Sequence, residues 1–398
     1  DMDGSRGELL EVSGTMALDL FGFVMLDGGF SLVKESGSIV LADGKAVEVE
    51  ELLLGASNVN AFAGINGGSE EAVGLQLAGM DIALAMLTST ADDTRTWTSL
   101  KATADSVSLI GVEGLTLSGE SLTVDINQAG REGDAVVDYA SGKTSLKVRT
   151  GASAADSITL DMAGGDGELL RATGELNFDA FGFVQASGAF AVESRRHRFY
   201  LNDGDYSDDA AKAKAPTAID ARVLTIGATG LDAFVGLNGG SSDAVGFAVS
   251  DMALGIALIT EVKADGSDGR QFTTLEATVG SAGFVGIDGF QVGAENLYVE
   301  INQGIAGTGG NADTVIDYTP EQFEVLAGNG MTVTLDTDGS RGELMRASGD
   351  LTIDLFGFMT LDGSLAFEKS SGTAVVLNDG DAETVQVDTL TVGGSGLN

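Results

Sequence analysis

Three stretches of this chain repeat one another, and that repetition constrains the fold more than any other feature of the sequence. Gly7-Glu8-Leu9-Leu10 leads on to Asp19-Leu20-Phe21-Gly22-Phe23-Val24. The same phrase returns as Gly167-Glu168-Leu169-Leu170 with Asp179-Ala180-Phe181-Gly182-Phe183-Val184, and again as Gly342-Glu343-Leu344-Met345 with Asp354-Leu355-Phe356-Gly357-Phe358-Met359. The offsets are 160 and then 175 residues. Asn60-Ala61-Phe62-Ala63-Gly64-Ile65-Asn66-Gly67-Gly68 matches Asp232-Ala233-Phe234-Val235-Gly236-Leu237-Asn238-Gly239-Gly240. Leu122-Thr123-Val124-Asp125-Ile126-Asn127-Gln128 matches Leu297-Tyr298-Val299-Glu300-Ile301-Asn302-Gln303, and Val136-Val137-Asp138-Tyr139 matches Val315-Ile316-Asp317-Tyr318. The chain therefore reads as units 1–160 and 161–335 and a truncated unit 336–398. The extra length of the second unit falls around Asp205 to Pro216, a polar stretch suited to a surface loop.

Within the units the dominant period is two. Leu122, Val124 and Ile126 alternate with polar residues, as do Val333 with Leu335 and Leu351 with Ile353 and Leu355. That is the pattern of half-buried strands. Asp27-Gly28, Asp43-Gly44, Asn66-Gly67, Asn238-Gly239 and Asp379-Gly380 supply turn chemistry between them. Leu52-Leu53-Leu54 and the stretch Ala244–Ile259 are apolar on both faces, and periodicity alone leaves Met80–Leu87 open to a helix. Two prolines among 398 residues fit uninterrupted ladders. Gly22, Gly64, Gly111, Gly182, Gly236 and Gly286 recur beside large apolar residues, which points to close approach of two layers or to β-bulges. The expected fold is all-β, an elongated tandem-repeat stack, β-solenoid-like or built of layered antiparallel meanders. The alternative is a row of immunoglobulin-like sandwiches, which Trp97, with Phe272 near its counterpart, does not favour. A membrane barrel would need aromatic girdles, and aromatic residues are 6% of the chain. No run of 18 apolar residues provides a spanning helix.

The net charge of −39 repels nucleic acid and anionic membranes and attracts cations. With no cysteine and one histidine, His197 in Arg195-Arg196-His197-Arg198, the nucleophilic arrangements that depend on those residues have one centre available. The first unit has Glu35-Ser36-Gly37-Ser38 there, so a basic exposed loop is the expectation. The 60 acidic residues single out no carboxylate pair for hydrolysis, and the glycine-rich runs lack a phosphate-loop ending. The sequence is read as non-enzymatic.

Calcium is the one cofactor the motifs raise. Asp1-Met2-Asp3-Gly4-Ser5-Arg6-Gly7-Glu8 returns as Asp336-Thr337-Asp338-Gly339-Ser340-Arg341-Gly342-Glu343. Asp1, Asp3 and Glu8, and then Asp336, Asp338 and Glu343, place oxygen ligands around a glycine turn as in part of a calcium loop. Asp203 with Asp205, and Asp379 with Asp381, form a second set. Acidic hairpin turns without metal are the alternative.

Asp19-Leu20-Phe21-Gly22-Phe23-Val24 and Ala233-Phe234-Val235-Gly236-Leu237-Asn238-Gly239-Gly240, in an acidic, cysteine-free, glycine-rich frame, resemble giant repetitive bacterial surface proteins of the adhesin-like and hemolysin-type, calcium-associated secreted kind. The resemblance is one of style along the whole chain, without the calcium nonapeptides of that group. It implies a secreted or cell-surface location and a spacer or adhesive role in an extracellular fibre. The partners would be further copies of the repeat, or cell-surface glycans or proteins. The alternative function is a ligand-binding module. The chain reads as a segment of something longer.

Overall fold

The computed structural model describes residues 8–398 except 132, 141, 154, 204–214, 306–313 and 377–383. The protein is almost entirely β, at 71% strand and 2% helix, so the period-two pattern governs nearly all of the chain. Its elements are β1 (Leu10–Leu20), β2 (Val24–Val40), β3 (Ala46–Ile65), β4 (Val73–Ser89), β5 (Thr96–Ile110), β6 (Leu115–Ala129), β7 (Lys147–Arg149), β8 (Ser157–Thr159), β9 (Leu169–Ala180) and β10 (Val184–Tyr200). They continue as β11 (Ala218–Leu237), β12 (Val245–Val262), β13 (Asp268–Val285), β14 (Phe290–Gly304), β15 (Phe323–Gly328), β16 (Met331–Leu335), β17 (Leu344–Leu355), β18 (Met359–Val376) and β19 (Thr384–Ser395). Fifteen long strands hydrogen-bond in one open antiparallel sheet in chain order, with β6 beside β9 and β14 beside β17. The pairs β7–β8 and β15–β16 stand apart as small hairpins. Met80–Leu87, which periodicity left open to a helix, is part of β4: its partners in β3 and β5 supply a ladder a helix would forfeit.

Contacts divide the chain into one unit reaching to Phe178 together with Glu193–Arg196, and a second formed by Asp179–Val192 and everything from His197 onward. In the first unit the segment after β6 turns back over one sheet face and closes a core. Val33, Val49, Leu53, Leu87 and Trp97 of the sheet pack there with Val137, Tyr139, Val148 and Leu160 of the covering segment. In the second unit Val223, Ile259 and Phe272 of the sheet pack with Ile316, Tyr318, Phe323, Val325 and Leu335. Trp97 and Phe272, set aside in the sandwich argument, are the aromatic anchors of these cores. Trp97 donates its indole N–H to the Ala135 carbonyl at 2.9 Å.

The repeated sequence phrases have structural employment here. Asn127 donates its amide to the Val137 carbonyl at 2.7 Å, and Tyr139 donates to Ser99 Oγ at 2.8 Å. Asn302 donates to the Ile316 carbonyl at 2.7 Å, and Tyr318 donates to Thr274 Oγ1 at 2.9 Å. These groups are buried, so each bond removes the cost of a dry, unpaired polar atom and fixes the cover in one register.

Glycine serves two other needs. Gly22, Gly111, Gly182 and Gly286 lie at positive φ in or beside turns. Gly64 and Gly236 face glycines across the ladder, and a Cβ on Gly236 would lie 2.6 Å from Gly246 Cα and 2.7 Å from Phe234 Cζ. Layers do approach closely, but at Gly55 and Gly227, where the backbone at Arg149–Thr150 and Leu326–Ala327 occupies the space a side chain would need.

Strands this long also bend. β3 carries register shifts between Ala56 and Val59, β11 between Ala228 and Leu231, and β14 pairs irregularly between Glu295 and Tyr298. Bulges of this kind increase local twist and redirect a strand. In each unit they separate the half of the sheet under the cover from the half that ends in the hairpin turns.

Candidate functional site

The turns joining β1 to β2, β9 to β10 and β17 to β18 share one construction. Phe23 N–H donates to the Leu20 carbonyl at 3.0 Å, Phe183 to Ala180 at 2.9 Å and Phe358 to Leu355 at 3.0 Å. The two central residues are a phenylalanine and a glycine, both at positive φ: Phe21 at 55° with Gly22 at 70°, Phe181 at 56° with Gly182 at 68°, and Phe356 at 56° with Gly357 at 70°. Two positive φ values are the signature of the type I′ hairpin turn, whose preferred first residue is Asn or Asp. An aspartate one residue before the turn steadies each. Asp19, Asp179 and Asp354 accept from the N–H of Gly22, Gly182 and Gly357 at 2.8, 2.7 and 2.8 Å. The Asp179 carboxyl is held below its ordinary pKa, first by the Gln185 amide at 2.6 Å and then by the Gly182 N–H.

Left-handed backbone disfavours an L side chain by about 1–2 kcal/mol. Ten described non-glycine residues adopt it, and seven of these are Asn, Asp or Ser, whose short polar side chains tolerate it. The other three are Phe21, Phe181 and Phe356. Most of each residue stays in solvent: their exposures are 94%, 63% and 58%, and Phe358 beside the last is 95% exposed. The first two turns are braced from next door. Gly67 N–H donates to the Gly22 carbonyl and Gly239 N–H to the Gly182 carbonyl, both at 2.8 Å. At the third, the Phe356 ring lies 6.2 Å from Phe290, which meets Phe284 edge-on at 5.2 Å.

Behind the tips the ladder carries apolar rows. In the first unit Leu20, Val24, Ala63, Leu75 and Leu109 are successive cross-strand partners. In the second the row runs Val235, Phe247, Phe284, Val292, Ile353 and Leu361. Val24, Leu75, Val235 and Phe247 are exposed. The first unit also has a trough of about 470 Å³ whose apolar lining includes Met16, Phe30, Leu32, Leu54 and Leu84. The repeated Phe-Gly-Phe phrase was visible in the sequence, but its exposure and backbone cost were not.

The acidic residues raised for calcium are placed as follows. Asp1, Asp3, Asp205, Asp379 and Asp381 lie outside the described residues. Asp203 accepts from both the N–H and hydroxyl of Thr217 at 2.7 Å. Asp338 accepts from Ser340 N–H at 2.9 Å, at the start of a short 3₁₀ turn, Gly339–Arg341. Glu343 N–H donates to Ser371 Oγ at 2.9 Å, Glu8 is exposed, and Asp336 N–H donates to Glu276. Among the described residues no three acidic or histidine side chains gather as a metal-holding group.

The basic run is strand and not loop. Arg195–Arg198 lies within β10, where Arg195 pairs with Glu193, Arg196 with Glu168 and Arg198 with Asp220. The His197 ring sits 4.8 Å from both Phe199 and Phe323. Beneath the cover of the second unit, sheet strand β13 holds a carboxylate pushed well up. Burial, then the charges of Asp336 and Glu300, raise Glu276 to about 7 although the Asp336 N–H opposes this. At the corresponding place in the first unit Lys101 bonds Asp161 at 2.7 Å.

Among the described residues no helix is long and apolar enough to cross a membrane. No family model matches the chain, and no curated protein or solved structure matches it either.

Proposed function

We propose that the chain is a structural, adhesive segment of an extracellular bacterial fibre or adhesin, a tandem-repeat β stack that presents phenylalanine tips to a partner surface. One observation carries this reading: three matched hairpin turns each hold an exposed phenylalanine in a backbone conformation that disfavours it. A cost retained in matched turns and unrelated to core packing belongs to contact with something else. The charge of −39 makes that partner neutral or basic, such as a glycan-bearing cell surface, a protein or a further copy of the repeat. The role needs no catalytic group, so the chain is proposed as non-enzymatic. Calcium belongs to the proposal as a ligand of the acidic turns, tested by the melting temperature with and without chelator.

The test of adhesion compares beads coated with the chain and with a Phe21→Asn, Phe181→Asn, Phe356→Asn variant. The reading expects wild-type beads to hold bacterial cells, or one another, and variant beads to release them. Equal adhesion would sink it.

A further inference from the structure

Each cover crosses its sheet over a charged position, and the two positions carry opposite charge. In the first unit Lys101 of β5 lies across the ladder from Ala83 of β4 and Asp125 of β6. Its ammonium bonds Asp161, which follows β8, at 2.7 Å. In the second unit Glu276 of β13 holds the matching place, across from Gly255 of β12 and Glu300 of β14. Two carboxylates directly opposite each other on one face repel. Glu276 and Glu300 are both buried, at 7% and 6% exposure.

The second cover rests on this pair. Val325 and Val333 of the β15–β16 hairpin fill the space above Gly255, where a Cβ would come within 3.3 and 3.0 Å of theirs. Asp336, next after β16, donates its N–H to Glu276 Oε1 at 2.8 Å, and the Thr337 hydroxyl lies 3.5 Å from the same oxygen. From the sheet the Tyr298 hydroxyl donates to Glu276 Oε2 at 3.3 Å. The charges that bear on Glu276 are those of Glu300 in β14 and Asp336 in the cover. Arg346 of β17 stands 3.9 Å from Glu300, across β14 from Glu276.

Glu276 can accept the bonds from the cover with or without its proton. Its charge is another matter: once ionised, it is dry, opposite Glu300 and under Asp336. Lifting the cover readmits water and carries Asp336 away, so ionisation and opening favour each other. Burial first, and then the two neighbouring carboxylates, hold the Glu276 carboxyl at about 7 against its ordinary 4.5, with the Asp336 N–H opposing.

We propose that the second cover is a clasp, closed by a proton on Glu276 and loosened when that proton leaves. The closed cover holds the proton more tightly than the open one. Closure is therefore firmest below about pH 4.5, weakens as the pH rises to about 7 and is level above that. Opening bares the apolar strip of Val223, Ile259 and Phe272 beneath. Lys101 gives the first cover an ion pair in place of this clasp, and Glu51, the carboxylate raised in that unit, lies opposite Glu35 in the sheet. The proposal stands independently of the phenylalanine tips.

Hydrogen exchange of the full chain from pH 5 to pH 9, corrected for the intrinsic pH dependence of exchange, tests it. Protection across β15, β16 and Asp336–Thr337 should fall by up to about tenfold per pH unit between pH 5 and pH 7 and then level off. Above pH 7 it should be lower there than in β12 and β13, as expected of a cover that opens on an intact sheet. Glu276→Gln keeps an acceptor at this place and never ionises, so its cover should hold the acid level of protection throughout. A wild type without the fall, a Glu276→Gln chain with the same fall, or equal protection of cover and sheet above pH 7 overturns the proposal.

Discussion

At the scale of single residues, one sheet position meets the two covers with opposite charge. Lys101 forms an ion pair with Asp161, but Glu276 takes the matching place beside Asp336. The fold raises the Glu276 carboxyl from its ordinary 4.5 to about 7, chiefly by burial. Glu51 is raised to about 7 by burial and by Glu35. For an acid shifted upward, the folded chain keeps a proton the unfolded chain releases. These groups therefore oppose folding least below 4.5, their stabilising share falls as the pH rises to about 7, and it is level above that. Glu276→Lys, which recreates the Lys101 pair, should raise the melting temperature above pH 7 and shrink its fall across that window. Thermal melts over a pH series check this, and an unchanged slope would refute it. Nothing in the sequence exposes this difference until the two units are laid over each other, because carboxylates are too numerous for one to stand out. The acidic turns also do local work: Asp338 and Asp203 accept from nearby backbone donors, a task any acidic turn can perform.

At the scale of elements, the covers are held by a few buried bonds and two aromatic anchors. Tyr318→Phe removes the donor to Thr274 and should cost about 1 kcal/mol, within the 1–3 kcal/mol range for a buried group left unpaired. Trp97→Ala should cost about 3–5 kcal/mol through the lost packing. Chemical denaturation reads both. Gly227→Val should unseat the second cover and speed hydrogen exchange in β15 and β16, and unchanged exchange there would refute it. The long strands were legible in alternation such as Leu122, Val124 and Ile126. The covers were not, since β7 and β8 are three residues each and owe their form to the sheet beneath. The phrase ending in Tyr139 or Tyr318 marked the place, but its reason lies in Ser99 and Thr274, 40 and 44 residues earlier.

For the whole molecule, the repeat made an antiparallel all-β fold readable, and turn chemistry placed many hairpins. What the pattern could not give is which face each strand covers, because the covering segments follow the strands and pack by tertiary contact. The central claim is that the Phe-Gly turns sacrifice backbone comfort to expose apolar rings. It is tested most directly by measuring the melting temperature and the retention on an octyl-derivatised matrix for wild type and the Phe21→Asn, Phe181→Asn, Phe356→Asn variant. Asparagine accepts the left-handed backbone, so each turn should gain up to about 1 kcal/mol. The account predicts a variant that melts higher and elutes earlier; a variant that melts lower, or is retained as strongly as wild type, would contradict it.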